Sequence, residues 1–194
     1  MTRRLAILQG HPDPSAERFG RALAAAYARG AARGGHETRT VDVATLDFSP
    51  LRTRREFEEG TPPDDIRRAQ ETLAWADHWA IFYPLWFGDA PALFKAFVEQ
   101  AFRPGFALRY RPSGLPEGLL KGKSARLVVT MGMPAFVYQW FFLAHGLRNL
   151  KRNVLSYSGV SPVRATLIGS AKALDEATAQ RWLAALEELG RQAN

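Results

Sequence analysis

Residues 79–102 read WAIFYPLWFGDAPALFKAFVEQAF, and the order of residue types along them decides the fold. Trp79 to Tyr83 is an apolar run closed by Pro84, of a length that suits a fully buried strand. From Ala90 to Phe102 the apolar residues recur at helical spacing. Between them lies Leu85-Trp86-Phe87-Gly88-Asp89, a turn of aromatic and small residues. In an open parallel sheet, the turn at the carboxyl end of a central strand is where ligands sit. A turn that offers flat apolar faces beside free backbone N–H groups suits a planar heteroaromatic ligand better than an ion or a polymer.

The same alternation continues on both sides of this stretch. Leu5 to Leu8 is a short buried strand, and Gly10-His11-Pro12-Asp13-Pro14-Ser15 interrupts it. A helix then runs from Arg18 to about Arg33, with Phe19, Leu23, Ala26 and Tyr27 on one face and Gly34-Gly35 as its stop. Glu37 to Val43 reads as a second strand, and Ala44 to Pro63 as a long polar surface excursion able to cover a ligand. Asp64 to Ala76 is helical and leads into the Trp79 strand; a second long loop runs from Arg103 through Gly118. Ala125 to Thr130 is the fourth strand, Val137 to about Asn153 an aromatic-rich helix, Val160 to Ile168 the last strand, and Asp175 opens the last helix. In that helix Ala177, Leu183, Leu186 and Leu189 are expected to point inward. Five strands alternating with five helices, without a hairpin signal between strands, predict an α/β fold. The expected form is a doubly wound five-stranded parallel sheet in the flavodoxin-like order 2-1-3-4-5, with helices on both faces.

Composition bounds the function. At 194 residues, 46% hydrophobic and 23% charged, residues 1–194 fit a single domain with a full core. The chain has no cysteine, which excludes disulfides, thiolate metal ligands and a cysteine nucleophile. Leu5 to Leu8 is too short for the apolar core of a signal peptide, and no stretch could insert in a membrane, so a cytoplasmic protein is expected. The formal charge of +7 raises nucleic-acid binding, but the arginines are scattered rather than massed, and anionic small ligands account better for the charge.

With this topology, the turns after strands one, three and four meet at one edge of the sheet. The first precedes a helix, so its free N–H groups suit a phosphate, with His11, Ser15 and Arg18 as added donors. It carries neither GxGxxG nor GxxxxGK[ST], which disfavours a dinucleotide Rossmann site and a P-loop. The second turn supplies aromatic faces and N–H groups to the edge of a flat ring. The third contributes Gly132, Met133 and Pro134. Each has a plainer reading, since a lone histidine can cap a loop and an aromatic cluster can simply fill a core. Together they fit a flavin.

These residues resemble the NAD(P)H:quinone oxidoreductases of the flavodoxin-like superfamily, in the branch that includes potassium-efflux-associated reductases and drug-modulator quinone reductases. The resemblance rests on Gly10-His11-Pro12-Asp13-Pro14 with Phe19 to Leu23, on Tyr83 to Asp89 with Pro91-Ala92 and Lys95, on Pro104-Gly105-Phe106, and on Thr130 to Pro134 followed by Tyr138. It implies that His11, Ser15, Arg18 and Phe19 hold the flavin phosphates. Pro84, Leu85, Trp86 and Phe87 would frame the ring, with Thr130, Gly132 and Met133 on its far side. Tyr138 and His145 stand where the family places residues that stabilise the reduced ring, although His145 lies one residue further from its tyrosine than the family pattern. Gly20 replaces the asparagine common after the phenylalanine.

The resemblance further implies FAD, with FMN as the alternative, NAD(P)H as co-substrate and a quinone-like acceptor reduced in ping-pong order. A flavodoxin-type electron carrier and a regulatory flavoprotein of a potassium-efflux system are the alternatives. Helix 90–102 carries apolar residues on two faces, Leu93, Phe97 and Ala101 against Phe94, Val98 and Phe102. One face is expected to meet the sheet and the other to build a homodimer, with the partner's Phe136, Trp140 or Phe141 lining the acceptor site.

Overall fold

A computed structural model describes residues 2–194. In chain order the elements are β1 (Arg4–Gln9), α1 (Phe19–Arg33), β2 (Glu37–Asp42), α2 (Arg54–Glu59), α3 (Asp64–Trp75), β3 (His78–Pro84), α4 (Ala92–Ala101), β4 (Leu108–Arg109), β5 (Glu117–Gly118), β6 (Ser124–Thr130), α5 (His145–Asn149), β7 (Val163–Ile168) and α6 (Glu176–Arg191). The main sheet has the order β2-β1-β3-β6-β7, which is 2-1-3-4-5 when only its own strands are counted. All four pairings are parallel. The expected flavodoxin-like topology is therefore the observed one.

Alternation along the strands feeds two cores. Ala6, Leu8, Trp79, Ile81, Tyr83, Leu127 and Val129 pack with α3 and α4 on one face, whereas Leu5, Ile7, Ala80, Phe82 and Val128 pack with α1 and α6 on the other. Burial on both faces explains why these strands read as continuous apolar runs. Trp79, at the centre, donates its indole N–H to the Leu73 carbonyl at 3.0 Å, so its one polar atom is satisfied within the core.

Helices α1 and α6 approach closely because glycines face each other's backbone. A Cβ on Gly30 would lie 1.8 Å from the Glu187 carbonyl oxygen, and one on Gly190 would lie 2.0 Å from that of Tyr27. Asp175 caps α6, its carboxylate accepting from the Thr178 N–H at 2.7 Å, as the sequence suggests. Within α6, Leu186 is buried and Leu183 and Leu189 are half-buried, but Ala177 is exposed. The inward stripe begins a turn later.

Several segments differ from expectation. The polar stretch 44–63 holds α2, started by Thr53, whose hydroxyl accepts from the Glu56 N–H at 3.1 Å. The loop after α4 folds into the antiparallel β4–β5 ribbon. The last strand begins only at Val163, after Pro162. Residues 137–153 form no single helix: Val137–Phe141 and Leu150–Ser156 are π-helical, with α5 between them. The break comes where Leu143 and Ala144 take positive φ, 55° and 47°.

The two-faced character of α4 also resolves differently. Phe94, Phe97, Val98, Ala101 and Phe102 are all buried inside the one chain, and only Leu93 stays half-exposed. The face expected to wait for a second subunit is covered by the π-helical segment, with Leu150 and Val154 facing Phe94 and Val98 across a small cavity of about 230 Å³. Phe102 packs edge-on against Trp79 and Phe106, with centroids 6.0 and 6.4 Å away. No free apolar face of α4 remains to build a dimer.

Replacing Gly30 by Val places atoms where the Glu187 backbone already is, and should cost at least about 3 kcal/mol, or roughly 6–12 °C in thermal midpoint. A Cβ on Gly20 meets nothing within 4 Å. Gly20→Ala should therefore leave the midpoint unchanged or raise it slightly. Thermal denaturation of the two variants checks both signs.

Candidate functional site

Strand register brings the three turns together. Gln9 lies opposite Phe82, and Pro84 opposite Thr130, so β1, β3 and β6 end at one edge. Beyond the ladder, the Gly10 N–H donates to the Phe82 carbonyl at 2.7 Å and the Leu85 N–H to that of Thr130 at 2.8 Å. His11 meets Trp86 edge-on, with centroids 6.1 Å apart. Gly10 is required at this junction, since a Cβ there would lie 2.7 Å from the Phe94 ring.

The first turn is wired by Asp13. Its backbone N–H donates to His11 Nδ1 at 3.0 Å, while its carboxylate accepts from the Ser15 N–H at 2.8 Å and from Arg18 Nε at 2.7 Å. These bonds hold the Asp13 carboxyl below the usual carboxylate range, the Ser15 N–H contributing most. Because His11 Nδ1 is an acceptor, its neutral ring carries the proton on Nε2, a donor left for a ligand. Burial first, and then the Arg18 charge, lowers the His11 pKa and keeps the ring neutral.

Arg18, expected to bind phosphate directly, is instead paired with Asp13. Arg21, which the sequence does not single out, forms a two-pronged pair with Asp42 at the end of β2, at 2.6 and 3.0 Å. Its only sequence signal is position, one turn into the helix that follows a candidate phosphate loop. Arg18 sits at the N-cap of α1 with no side-chain cap bond, and the first turn of α1 carries no acidic residue. Among the described residues, the N–H groups of Ala16 and Glu17 donate to nothing in the chain. An uncapped helix start with free N–H groups and a neutral imidazole donor matches an anionic group.

The second turn is a two-residue reversal. Trp86 and Asp89 exchange backbone hydrogen bonds at 2.8 and 3.0 Å, with Phe87 and Gly88 between them at φ 49° and 81°. Positive φ suits Gly88 but strains Phe87. That strain holds the Phe87 ring out of the protein, at 111% of its reference exposure, with Trp86 exposed beside it. Neither the Phe87 nor the Gly88 N–H has a partner among the described residues.

Tyr138 secures this turn from behind. Its hydroxyl donates to the Gly88 carbonyl at 3.2 Å and accepts from the Leu147 N–H at 3.1 Å. Burial pushes its pKa up, so the phenol remains a donor. Gly146 fits against the same turn, where a Cβ would lie 2.5 Å from the Gly88 oxygen. Tyr138 is thus buried and fully used within the chain, whereas His145, at the first position of α5, is exposed.

In the third turn Gly132 is exposed, Met133 and Thr130 are half-buried, and the Met133 carbonyl accepts from the Ser170 N–H at 2.9 Å. Pro84 and Leu85 are half-buried at the strand end; Ser15 and Phe19 line the first turn, also half-buried. Of the expected site residues, the structure therefore gathers those of all three turns at one edge. It turns Tyr138 inward and binds Arg18 to Asp13. The meeting place is an open shelf. A cavity of about 390 Å³, lined by Gln9, Pro14, Arg21 and Asp42, flanks its first turn on the β2 side. No helix among the described residues is long and apolar enough to cross a membrane, and no group of three or more His, Asp or Glu among them could hold a metal ion.

Comparison with known proteins agrees with this architecture. A protein from Haemophilus influenzae described as an uncharacterized NAD(P)H oxidoreductase is 28% identical over 174 residues, covering 88% of this chain and 85% of its own. An FMN-dependent NADH:quinone oxidoreductase from Listeria innocua is 30% identical over 138 residues, 66% of this chain and 64% of its own. Among solved structures, an NAD(P)H:quinone oxidoreductase from Methanothermobacter marburgensis superposes with TM-score 0.85 over the full length of both chains, at 23% identity. An FMN-dependent NADH-azoreductase from Bacillus anthracis, solved with FMN, gives 0.77 over the full length of both at 16% identity. At those identities the superpositions speak for the fold alone. The family defined by the flavodoxin-like fold matches residues 3–192, and the chain belongs to it.

Proposed function

We infer that this protein is a flavin-dependent NAD(P)H oxidoreductase that reduces a quinone or a similar acceptor. The observation that carries this reading is the strained turn at Phe87. It keeps an aromatic ring in water and two N–H groups unpaired, at the edge where the uncapped start of α1 waits for an anion. None of these features helps the chain fold; all of them suit a phosphorylated flat ring. The relatives from H. influenzae and L. innocua, named as NAD(P)H and NADH oxidoreductases, support the same reading.

FMN is the cofactor favoured here over FAD. The L. innocua relative is named as FMN-dependent, and the Pro104-Gly105-Phe106 segment is used within the chain. Phe106 packs on Phe102, and the Gly105 N–H donates to the Leu108 carbonyl at 2.8 Å. The redox chemistry, hydride transfer from NAD(P)H and two-electron reduction of the acceptor, would be supplied by the flavin.

The chain's own residues bind and orient. His11 Nε2–H, with the N–H groups of Ala16 and Glu17 and the α1 terminus, would hold the phosphate. Ser15 and Phe19 would shape this cradle, and Arg18 and Asp13 would fix its conformation. Pro84, Leu85, Trp86 and Phe87 would frame the ring, and Thr130, Gly132 and Met133 would bound its far side. Tyr138 serves as a positioning residue, acting through Gly88, which leaves His145 as the side chain free to stabilise negative charge near the ring.

The homodimer proposed here uses a different surface than α4. Phe136, Trp140 and Phe141 are 66%, 74% and 78% exposed, on the segment that Tyr138 ties to the second turn. So large an apolar surface next to an open shelf fits a second copy closing over the ring.

Addition of FMN to the purified protein should give a bound flavin spectrum. NADH or NADPH oxidation with a simple quinone should then give parallel double-reciprocal plots. Absence of both flavin binding and quinone reduction would overturn the assignment. Phe87→Asp should weaken flavin retention by about tenfold or more, close to 1.4 kcal/mol. Its melting temperature should stay within about 2 °C, since Asp tolerates positive φ better than Phe. In sedimentation velocity the wild type should run at twice the 21.6 kDa chain mass, and Trp140→Glu with Phe141→Glu should run as a monomer. A wild-type monomer would refute the dimer without touching the flavin assignment.

A further inference from the structure

A second polar cavity lies at the opposite, amino-terminal edge of the sheet. It encloses about 360 Å³ and is lined by Arg3, His78, Ser124, Arg164 and Asn194 among others. His78 is 2% exposed at the first position of β3. Arg3 Nη2 donates to Ser124 Oγ at 3.0 Å, and that oxygen lies 2.8 Å from His78 Nδ1. The hydroxyl proton makes no other hydrogen bond, so it is donated to Nδ1. The ring proton then sits on Nε2, which is buried and has no partner.

The cations around this histidine are equally unmatched. Arg126, 8% exposed, has an orphaned Nε; its other nitrogens reach Thr166 Oγ1 at 2.8 Å and Asn194 Oδ1 at 3.4 Å. Arg164 also donates to Asn194 Oδ1, and Arg3 to the carbonyls of Ala193 and Asp77. Every one of these acceptors is a neutral oxygen. Among the described residues no side-chain carboxylate pairs with Arg3, Arg126 or Arg164, and that of Asp77 is held by Arg4 at 2.9 Å. Burial first, and then these three guanidinium groups, lowers the His78 pKa to about 3, so its ring stays a neutral donor. Two cations line the cavity, Arg3 and Arg164, and among the described residues no side-chain carboxylate pairs with either.

We propose that this cavity is a second ligand site, built for a tetrahedral oxyanion, either inorganic phosphate or the phosphoryl group of a small metabolite. Arg3 and Arg164 would supply the anion's counter-charge, and His78, bonded to Ser124 Oγ, would fix that side chain at the cavity wall. A volume of about 360 Å³ exceeds that of one oxyanion and falls in the range of small-molecule sites, which leaves room for an organic group. Because the site is at the far edge from the three turns, it is separate from the redox site and need not compete with it.

Isothermal titration with inorganic phosphate, and in parallel with glycerol 3-phosphate, tests this at constant ionic strength on protein alone and with FMN present. The expected result is saturable one-to-one binding in both states, weakened at least tenfold in Arg164→Gln and in Arg3→Met. Tighter binding of glycerol 3-phosphate would assign the phosphorylated metabolite; tighter binding of phosphate, the free ion. Arg164 is exposed, so its replacement leaves the fold and the quinone reductase rate unchanged. No saturable heat with either probe, or binding that is the same in both variants as in the wild type, would overturn the proposal.

Discussion

Gln9 pairs in register with Phe82, and Pro84 with Thr130, so β3 and β6 stop together and β1 stops two residues short of them. Past Gln9 the Gly10 N–H still reaches the Phe82 carbonyl, and past Pro84 the Leu85 N–H reaches that of Thr130, so ladder pairing ends within a short step across this edge. From this edge the chain has one way out, into turns that are free of ladder hydrogen bonds. The site is therefore a product of where pairing ends. His11, Trp86 and Thr130 are far apart in sequence and meet because their strands end within two residues of one another.

Two kinds of local cost are accepted at that edge. Phe87 takes a positive φ and is held in water, while Leu143 and Ala144 take positive φ between two π-helical segments. The two are linked. The break after Phe141 brings Gly146 against Gly88 and allows the Tyr138 hydroxyl to reach both the turn and the Leu147 N–H. One strained segment thus braces the other, a pattern typical of positions where geometry is kept for function.

Charge is distributed by the same logic. Arg18 and Arg21 at the first turn are matched by Asp13 and Asp42, and Arg4 by Asp77, which leaves the cradle to neutral donors and a helix terminus. At the other edge, Arg3, Arg126 and Arg164 lie near His78, and no side-chain carboxylate among the described residues pairs with them. Part of the +7 charge that suggested anionic ligands from composition is concentrated there, away from the redox edge.

Strand order, two-sided burial and the convergence of three turns were legible in the sequence, because apolar runs and Gly/Pro interruptions report directly on which backbone must be buried and where it must turn. Tyr83 to Asp89 was legible as a ring-sized turn for the same reason. What the sequence could not fix was how side chains share their partners. Apolar spacing on α4 marks two buried faces without saying what covers the second, and the answer is residues 150–154 of the same chain. Tyr138 reads as a free hydroxyl near the ring until the break at 142–144 turns it back onto Gly88. Arg18 reads as a phosphate ligand until Asp13 takes it. Hydrogen bonds and ion pairs are short-ranged and exclusive, so their assignment waits for three-dimensional proximity; burial is a property of the chain's own composition and can be read before folding.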